Sequence, residues 1–182
     1  MGLRNRSLFK DEHCFFATTT CFNRYHLLEK AVCKDIVCNS IGFVNNKYKT
    51  SVLGYVIMPN HLHLILYFQE KNWLSDWMRD MKKFTSTKIR QAIEDSGNIT
   101  VLENLRIKET GRVFKVWQDR FDDLYLNDKR LLEEKLDYIH LNPLQAHWNL
   151  ARLPEEYPYS SAVFYETGKQ SKIEVTDYRE YF

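Results

Sequence analysis

The chain contains no long apolar run. Its most hydrophobic stretch, Leu62 to Phe68, has the length of a strand and falls far short of a bilayer crossing. The basic residues near Met1 are followed by no apolar signal core. A cytoplasmic protein with no membrane partner is therefore expected. Cysteine is sparse, and Cys14, Cys21, Cys33 and Cys38 form neither a Cys-x-x-Cys pair nor a zinc-type spacing. Plain buried thiols are expected instead. Charge of one sign is also lacking, since 26 Lys and Arg stand against 24 Asp and Glu for a net charge of +2. Bulk electrostatics thus announces no nucleic-acid partner, and only local clustering of cations can do so. No internal repeat or low-complexity linker interrupts the chain.

What is present suits one compact α+β domain. The 182 residues are 44% hydrophobic and 27% charged, enough to build a sizeable core. The core is expected over about 13–145, with an extension over about 146–182. Cys14 to Phe22, rich in Phe and Thr, reads as a strand. Asn23 is expected to cap a helix running to about Val44. Lys49 to Met58 and His61 to Phe68 read as a strand pair turned at Pro59-Asn60. Trp73 to Ile93 has the spacing of an amphipathic helix, and Phe121 to Leu126 reads as a closing strand. Residues 97–115 are polar and escape classification. Strand, helix, strand, strand, helix, strand is the ferredoxin-like βαββαβ order.

The strongest chemical signal is His61-Leu62-His63 within that second hairpin strand. Side chains alternate along a strand, so Leu62, Leu64, Leu66 and Phe68 share one face while His61 and His63 stand together on the other. Two adjacent imidazoles form a natural pair of metal ligands. In a ferredoxin-like unit both helices cover one sheet face. The leucines belong there, which leaves the histidines on the open side.

A second segment, Leu131 to Asn142, places apolar residues at helical spacing, with Asn127 or Asp128 available as the cap and Pro143 as the stop. Tyr138 and Asn142 are four residues apart and share a helix face. A phenol is a nucleophile and an amide oxygen is a ligand for a hard cation. The proline restricts Asn142, which is expected to leave ideal helical geometry. Asp137 and His140 point to other faces of that helix.

The motifs Met58-Pro59-Asn60-His61-Leu62-His63 and Leu136-Asp137-Tyr138-Ile139-His140-Leu141-Asn142-Pro143 resemble those of the HUH single-strand DNA transposases with one catalytic tyrosine. The likeness is above all to the REP-associated tyrosine transposases, within the IS200-like superfamily. Leu74-Ser75 through Thr85, Trp117 to Phe121 and Tyr157-Pro158-Tyr159-Ser160-Ser161 extend the resemblance over about 15–165. It implies a ferredoxin-like fold with an appended C-terminal catalytic helix laid across the open sheet face. It also implies Tyr138 as nucleophile, His61, His63 and Asn142 as ligands of Mg²⁺ or Mn²⁺, and single-stranded DNA with hairpins as the partner. Monomer and homodimer both occur among such enzymes, so the resemblance leaves the assembly open.

The helix from Trp73 to Ile93 is expected to turn Trp77, Met78, Met81, Phe84 and Ile89 inward. Arg79, Lys82, Lys83, Lys88 and Arg90 then point mostly outward. In the light of the resemblance these five cations and Arg120 are candidate phosphate contacts, Trp117, Phe121, Tyr125 and Trp148 are candidates to stack unpaired bases or to pack in the core, and Arg4, Arg6 and Lys10 form a second basic cluster. The segment from Tyr157 to Ser161 reads as either a brace or a hairpin contact. Two other functions fit part of the pattern: a catalytically silent, domesticated module that grips hairpin DNA or RNA, and a metal-dependent hydrolase built on His61 and His63 alone.

Overall fold

The computed structural model describes residues 12–70, 72–109 and 112–182. Arg4, Arg6 and Lys10 lie outside the described residues. Among the described residues, six strands and five α-helices follow in the order β1 (Cys14–Thr20), α1 (Ala31–Tyr48), β2 (Thr50–Ile57), β3 (His61–Phe68), α2 (Leu74–Asp95), α3 (Ile99–Asn104), β4 (Arg106–Glu109), β5 (Arg112–Phe114), β6 (Asp122–Tyr125), α4 (Lys129–Leu141) and α5 (Ala162–Thr167). Strands β2-β3-β1-β6 form the main sheet, and β4 and β5 pair separately. Each of the three ladders in the main sheet is antiparallel. This is the ferredoxin-like α+β arrangement expected from the sequence.

Alternation along β3 sorts the sheet into two faces. Leu62, Leu64 and Leu66 are fully buried, together with Phe15 and Ala17 of β1, which share their face through the register Phe15↔Leu66 and Ala17↔Leu64. Each of the leucines and Phe15 contributes about 1.5–3 kcal/mol on burial. His61 and His63 face the other way, beside Thr18 and Ile65.

Helix α4 lies on that second face, and the sequence explains how closely it approaches. Gly54 of β2 stands opposite Ile65, and a Cβ placed there would sit 2.6 Å from Leu136 Cδ1 and 3.1 Å from Ile139 Cδ1. The missing side chain admits both residues of α4 to the sheet. Asp128 caps the helix by accepting a 2.9 Å hydrogen bond from Leu131 N. Asn142 keeps helical dihedrals (φ −58°, ψ −44°) in spite of Pro143, because the proline opens a 3-10 turn, Asn142–Leu144, rather than ending the coil. The expected departure from helical geometry does not occur.

The extension beyond residue 145 covers the outer edge of β2. Ile57 N donates to Tyr159 O (2.9 Å), Ser161 N to Tyr55 O (3.0 Å) and Thr176 N to Val52 O (3.0 Å). An open edge is a template for unwanted pairing, and this segment occupies it. Tyr157 and Tyr159 are buried, with Tyr157 Oη donating to Ile57 O at 2.7 Å. The Tyr157 to Ser161 segment is therefore a brace.

Three details depart from expectation. Helix α1 starts at Ala31 rather than after Asn23. Asn23 and Arg24 adopt left-handed φ of 50° and 56°, and Cys21 N and Leu28 N donate to Asn60 O and Pro59 O, so the intervening chain is tied to the β2–β3 turn. Phe84 is 44% exposed and stacks on exposed Phe43, because Met81, Thr85 and Ile89 occupy the inward line of α2. The unclassified stretch 97–115 contains α3 and the short strands β4 and β5. All four cysteines are buried and free, as expected. Among the described residues no helix is long and apolar enough to cross a membrane.

Replacing Gly54 with valine should push α4 off the sheet and destabilise the fold by about 1–3 kcal/mol. Urea unfolding would show this as a lower midpoint, and an unchanged midpoint would contradict the close approach.

Candidate functional site

The site forms where α4 crosses β3 and β1. His61 and His63 lie with ring centroids 4.7 Å apart, and the Tyr138 ring meets His63 edge-on at 5.4 Å. Phe16 stacks on His63 at 5.4 Å and meets the edge of Tyr138 at 6.3 Å, filling the space beneath both. Tyr138 remains 45% exposed, so its hydroxyl is open to an incoming molecule. The histidine pair and the tyrosine, distant in sequence, thus come together within one chain.

Neighbouring side chains orient each imidazole. Asn60 Nδ2 donates to Arg24 O at 3.3 Å, which turns its Oδ1 toward His61. That oxygen accepts from His61 Nδ1 at 2.6 Å, leaving Nε2 with a free lone pair. His63 Nδ1 is hydrogen-bonded to Thr18 Oγ1 at 2.7 Å, across the register pair Thr18↔His63. Burial lowers the pKa of His61 to about 4, helped by the charges of Arg24 and His147. Burial lowers His63 to about 3, with further contributions from His61 and Lys135. Both rings are neutral near pH 7, the state a ligand requires.

Four buried side-chain polar atoms among the described residues have no hydrogen-bond partner, and two of them are His63 Nε2 and Asn142 Oδ1. Orphaned buried polar atoms are uncommon and point to a missing partner. A nitrogen and an amide oxygen of this kind could hold a divalent cation together with His61. No cluster of three or more His, Cys, Asp or Glu suited to a metal occurs among the described residues, so a shell built on this pair would need other donors such as Asn142 or outside oxygen.

Sequence reasoning missed several contributors. Lys135, one turn before Tyr138, holds its ammonium 5.6 Å from the Phe16 centroid and 5.9 Å from that of Tyr138. Its helical spacing from Tyr138 was the available signal. Thr18 could be found only through strand register. His140 is buried inside, its Nε2 2.8 Å from Ser161 Oγ, and that same oxygen accepts from Tyr55 N at 2.9 Å. Burial lowers His140 to about 4. It joins α4 to the brace rather than facing the tyrosine.

The candidate phosphate contacts divide into distinct groups. Arg79, Lys82 and Lys83 line a cleft of about 720 Å³ between α2 and the segment from Phe114 to Phe121. The far wall is anchored near the histidines, since Gln118 N donates to Thr20 O and Thr20 is in register with His61. Arg79 is ion-paired with Asp76 and Asp80, and Arg90 with Glu94. Lys82 donates to the carbonyls of Gln118 and Asp119. Lys83, Lys88 and Arg120 are exposed. Trp117 differs from expectation, being 3% exposed with Nε1 donating to Thr85 Oγ1 at 2.9 Å. With both its ring and its N–H committed to the core, it offers no face to a base.

Residues 13–140 match the family described as "Transposase IS200 like", and the chain belongs to that family; it is a transposase. Among solved structures, one of a REP-associated tyrosine transposase bound to a REP hairpin is similar at 19% identity and a TM-score of 0.64, over 93% of this chain and 88% of that one. A putative transposase from Deinococcus radiodurans is similar at 15% identity and a TM-score of 0.44, over 69% of this chain and 87% of that one. No curated protein matches the chain.

Buried His63 and His140, with half-buried His61, should make the fold acid-sensitive. Their folded pKa values, about 4, 3 and 4 for His61, His63 and His140, lie below the ordinary value of 6.5. Their contribution is therefore present in full above about pH 6.5 and is lost progressively as pH falls toward those values. The urea midpoint should drop between pH 7.5 and pH 5, and a flat profile would argue against neutral buried rings.

Proposed function

We propose that this transposase is a metal-dependent single-stranded DNA endonuclease and strand transferase. It cleaves near hairpins through a 5′-phosphotyrosine intermediate. The observation that carries the reading is Tyr138 edge-on to His63, whose buried Nε2 has no hydrogen-bond partner among the described residues.

Tyr138 Oη attacks phosphorus in line with the departing 3′ oxygen. The Oη–P bond forms as the P–O3′ bond breaks, the phenol proton is lost, and the leaving oxygen takes up a proton as a 3′ hydroxyl. The phosphotyrosyl ester keeps the energy of the broken phosphodiester, so a later 3′ hydroxyl rejoins the strand without ATP. His61, His63 and Asn142 are the residues that would hold Mg²⁺ or Mn²⁺, which when bound polarises the scissile phosphate as a Lewis acid. Two imidazoles favour Mn²⁺ over Mg²⁺. Asn60 and Thr18 keep the imidazoles oriented, in the manner of residues that support metal ligands. Lys135 places a positive charge beside the nucleophile, where phosphate charge gathers.

Single-stranded DNA carrying hairpins is the proposed partner, in keeping with the REP hairpin bound by the structurally similar transposase. Arg79, Lys82 and Lys83 line a cleft suited to a sugar-phosphate backbone, and Lys88, Arg90 and Arg120 extend its basic surroundings. Because Tyr138 meets His63 of its own chain, the proposed cleavage is in cis and a monomer suffices for it.

Incubation with hairpin-bearing single strands from beside its own gene, with Mn²⁺ or Mg²⁺, should yield a covalent adduct on denaturing electrophoresis. Tyr138→Phe and His61→Ala should each reduce it by at least about a thousandfold. Tight binding with no adduct under either metal would replace this reading with the silent binding module. The basic cleft makes a separate prediction. Joint replacement of Lys83 and Lys88 by alanine should leave thermal stability unchanged and lower the salt dependence of DNA binding by roughly one to two counterions. Trp117→Ala should instead lose about 3–5 kcal/mol of stability, and calorimetry with salt titrations separates the two effects.

A further inference from the structure

A second aromatic group neighbours His61, as Tyr138 neighbours His63. Trp148 lies 5.9 Å from the ring of His61, 5.5 Å from His26 and 5.2 Å from His147. A compact turn holds it there: Trp148 N and Asn149 N both donate to Gln145 O, Asn149 takes a left-handed φ of 46°, and Leu150 N donates to Pro143 O. The ring is half-buried, and its N–H has no partner among the described residues. Trp77 and Trp117, by contrast, commit their N–H groups to Asn45 and Thr85 inside the fold. Nearby, Arg24 is exposed and held in a left-handed conformation, its carbonyl accepting from Asn60, the residue that orients His61.

We propose that Trp148 is a stacking platform for an unpaired nucleobase, that of the nucleotide immediately 5′ of the cleaved phosphate. The inference rests on Tyr138 being the nucleophile. In an in-line displacement the attacking and leaving oxygens lie on opposite sides of phosphorus. Tyr138 approaches from the His63 side, so the leaving 3′ oxygen and its nucleotide fall on the His61 side, where Trp148 stands. An indole face with a free N–H takes a base by stacking, and the exposed Arg24 and His147 meet its phosphate. Stacking tolerates any base, so this platform positions the strand, while sequence choice resides elsewhere.

The test uses full-length protein and the hairpin-bearing strand whose cut has been mapped with wild type. Versions of that strand carry an abasic site immediately 5′ or immediately 3′ of the cleaved phosphate. Removing the 5′ base should slow adduct formation about tenfold in wild type, and Trp148→Ala should slow the intact strand to a similar degree. The two changes combined should cost no more than either alone. Trp148→Tyr should retain most of the activity, and its rescue separates a stacking role from a packing role. Tyr138→Phe protein binding the intact strand should show quenched tryptophan emission, lost on a further Trp148→Phe change. Additive losses, or a loss that follows the 3′ base, would overturn the proposal. If no adduct forms on any strand, the tyrosine chemistry itself fails. Emission then decides the stacking alone: quenching removed by Trp148→Phe supports it, and unchanged emission overturns it.

Discussion

The close contact between α4 and β2 at Gly54 governs the rest of the molecule. One absent Cβ lets Leu136 and Ile139 reach the sheet, and that contact turns an amphipathic helix into the floor of a site. Tyr138 lies on the same helix, two residues from Leu136, so the apolar seating also sets the position of the phenol. Phe16 completes the arrangement from the sheet side, touching both His63 and Tyr138. Packing energy and chemical geometry therefore depend on the same few contacts.

The brace reinforces this from outside. His140, on the side of α4 away from solvent, reaches Ser161, and Ser161 is bonded to the main chain of Tyr55 in β2. The helix is thus held by apolar contact on one line and by a buried polar link on another. A buried hydrogen bond of this kind contributes about 1 kcal/mol net, yet an unsatisfied partner would cost more, so the link specifies position more than it adds stability. Burial has a second consequence at the histidines. It strips water from the rings and keeps them neutral, while His63 Nε2 and Asn142 Oδ1 are left without partners among the described residues.

Electrostatics is local throughout. The chain is nearly neutral, and several cations of α2 are committed to acids of the same helix, as Arg79 is to Asp76 and Arg90 to Glu94. Exposed pairs of this kind are weak and yield readily to a phosphate. The cleft beside α2 converges on the end of the sheet that carries His61, through Gln118 and Thr20. A backbone lying in that cleft would be led toward the histidines.

Much of the fold was legible because its signals are periodic. Alternation along β3 assigned Leu62, Leu64 and Leu66 to one face and His61 and His63 to the other, and helical spacing placed Tyr138 and Asn142 on one side of α4. Both follow from backbone geometry alone. The resemblance of the paired-histidine and tyrosine motifs added the docking of α4 on the open sheet face. The start of α1 and the exposure of Phe84 escaped because each depends on a partner distant in the chain, the β2–β3 turn and the inward line ending at Ile89, while the choice between stacking and core for Trp117 was settled only by its bond to Thr85. The sequence by itself determined the periodicities, and with them which residues share a face. Only the tertiary structure decided which face meets which. Contacts such as Gly54 with Leu136, Thr18 with His63 and Trp148 with His61 join elements whose separation along the chain carries no local signature.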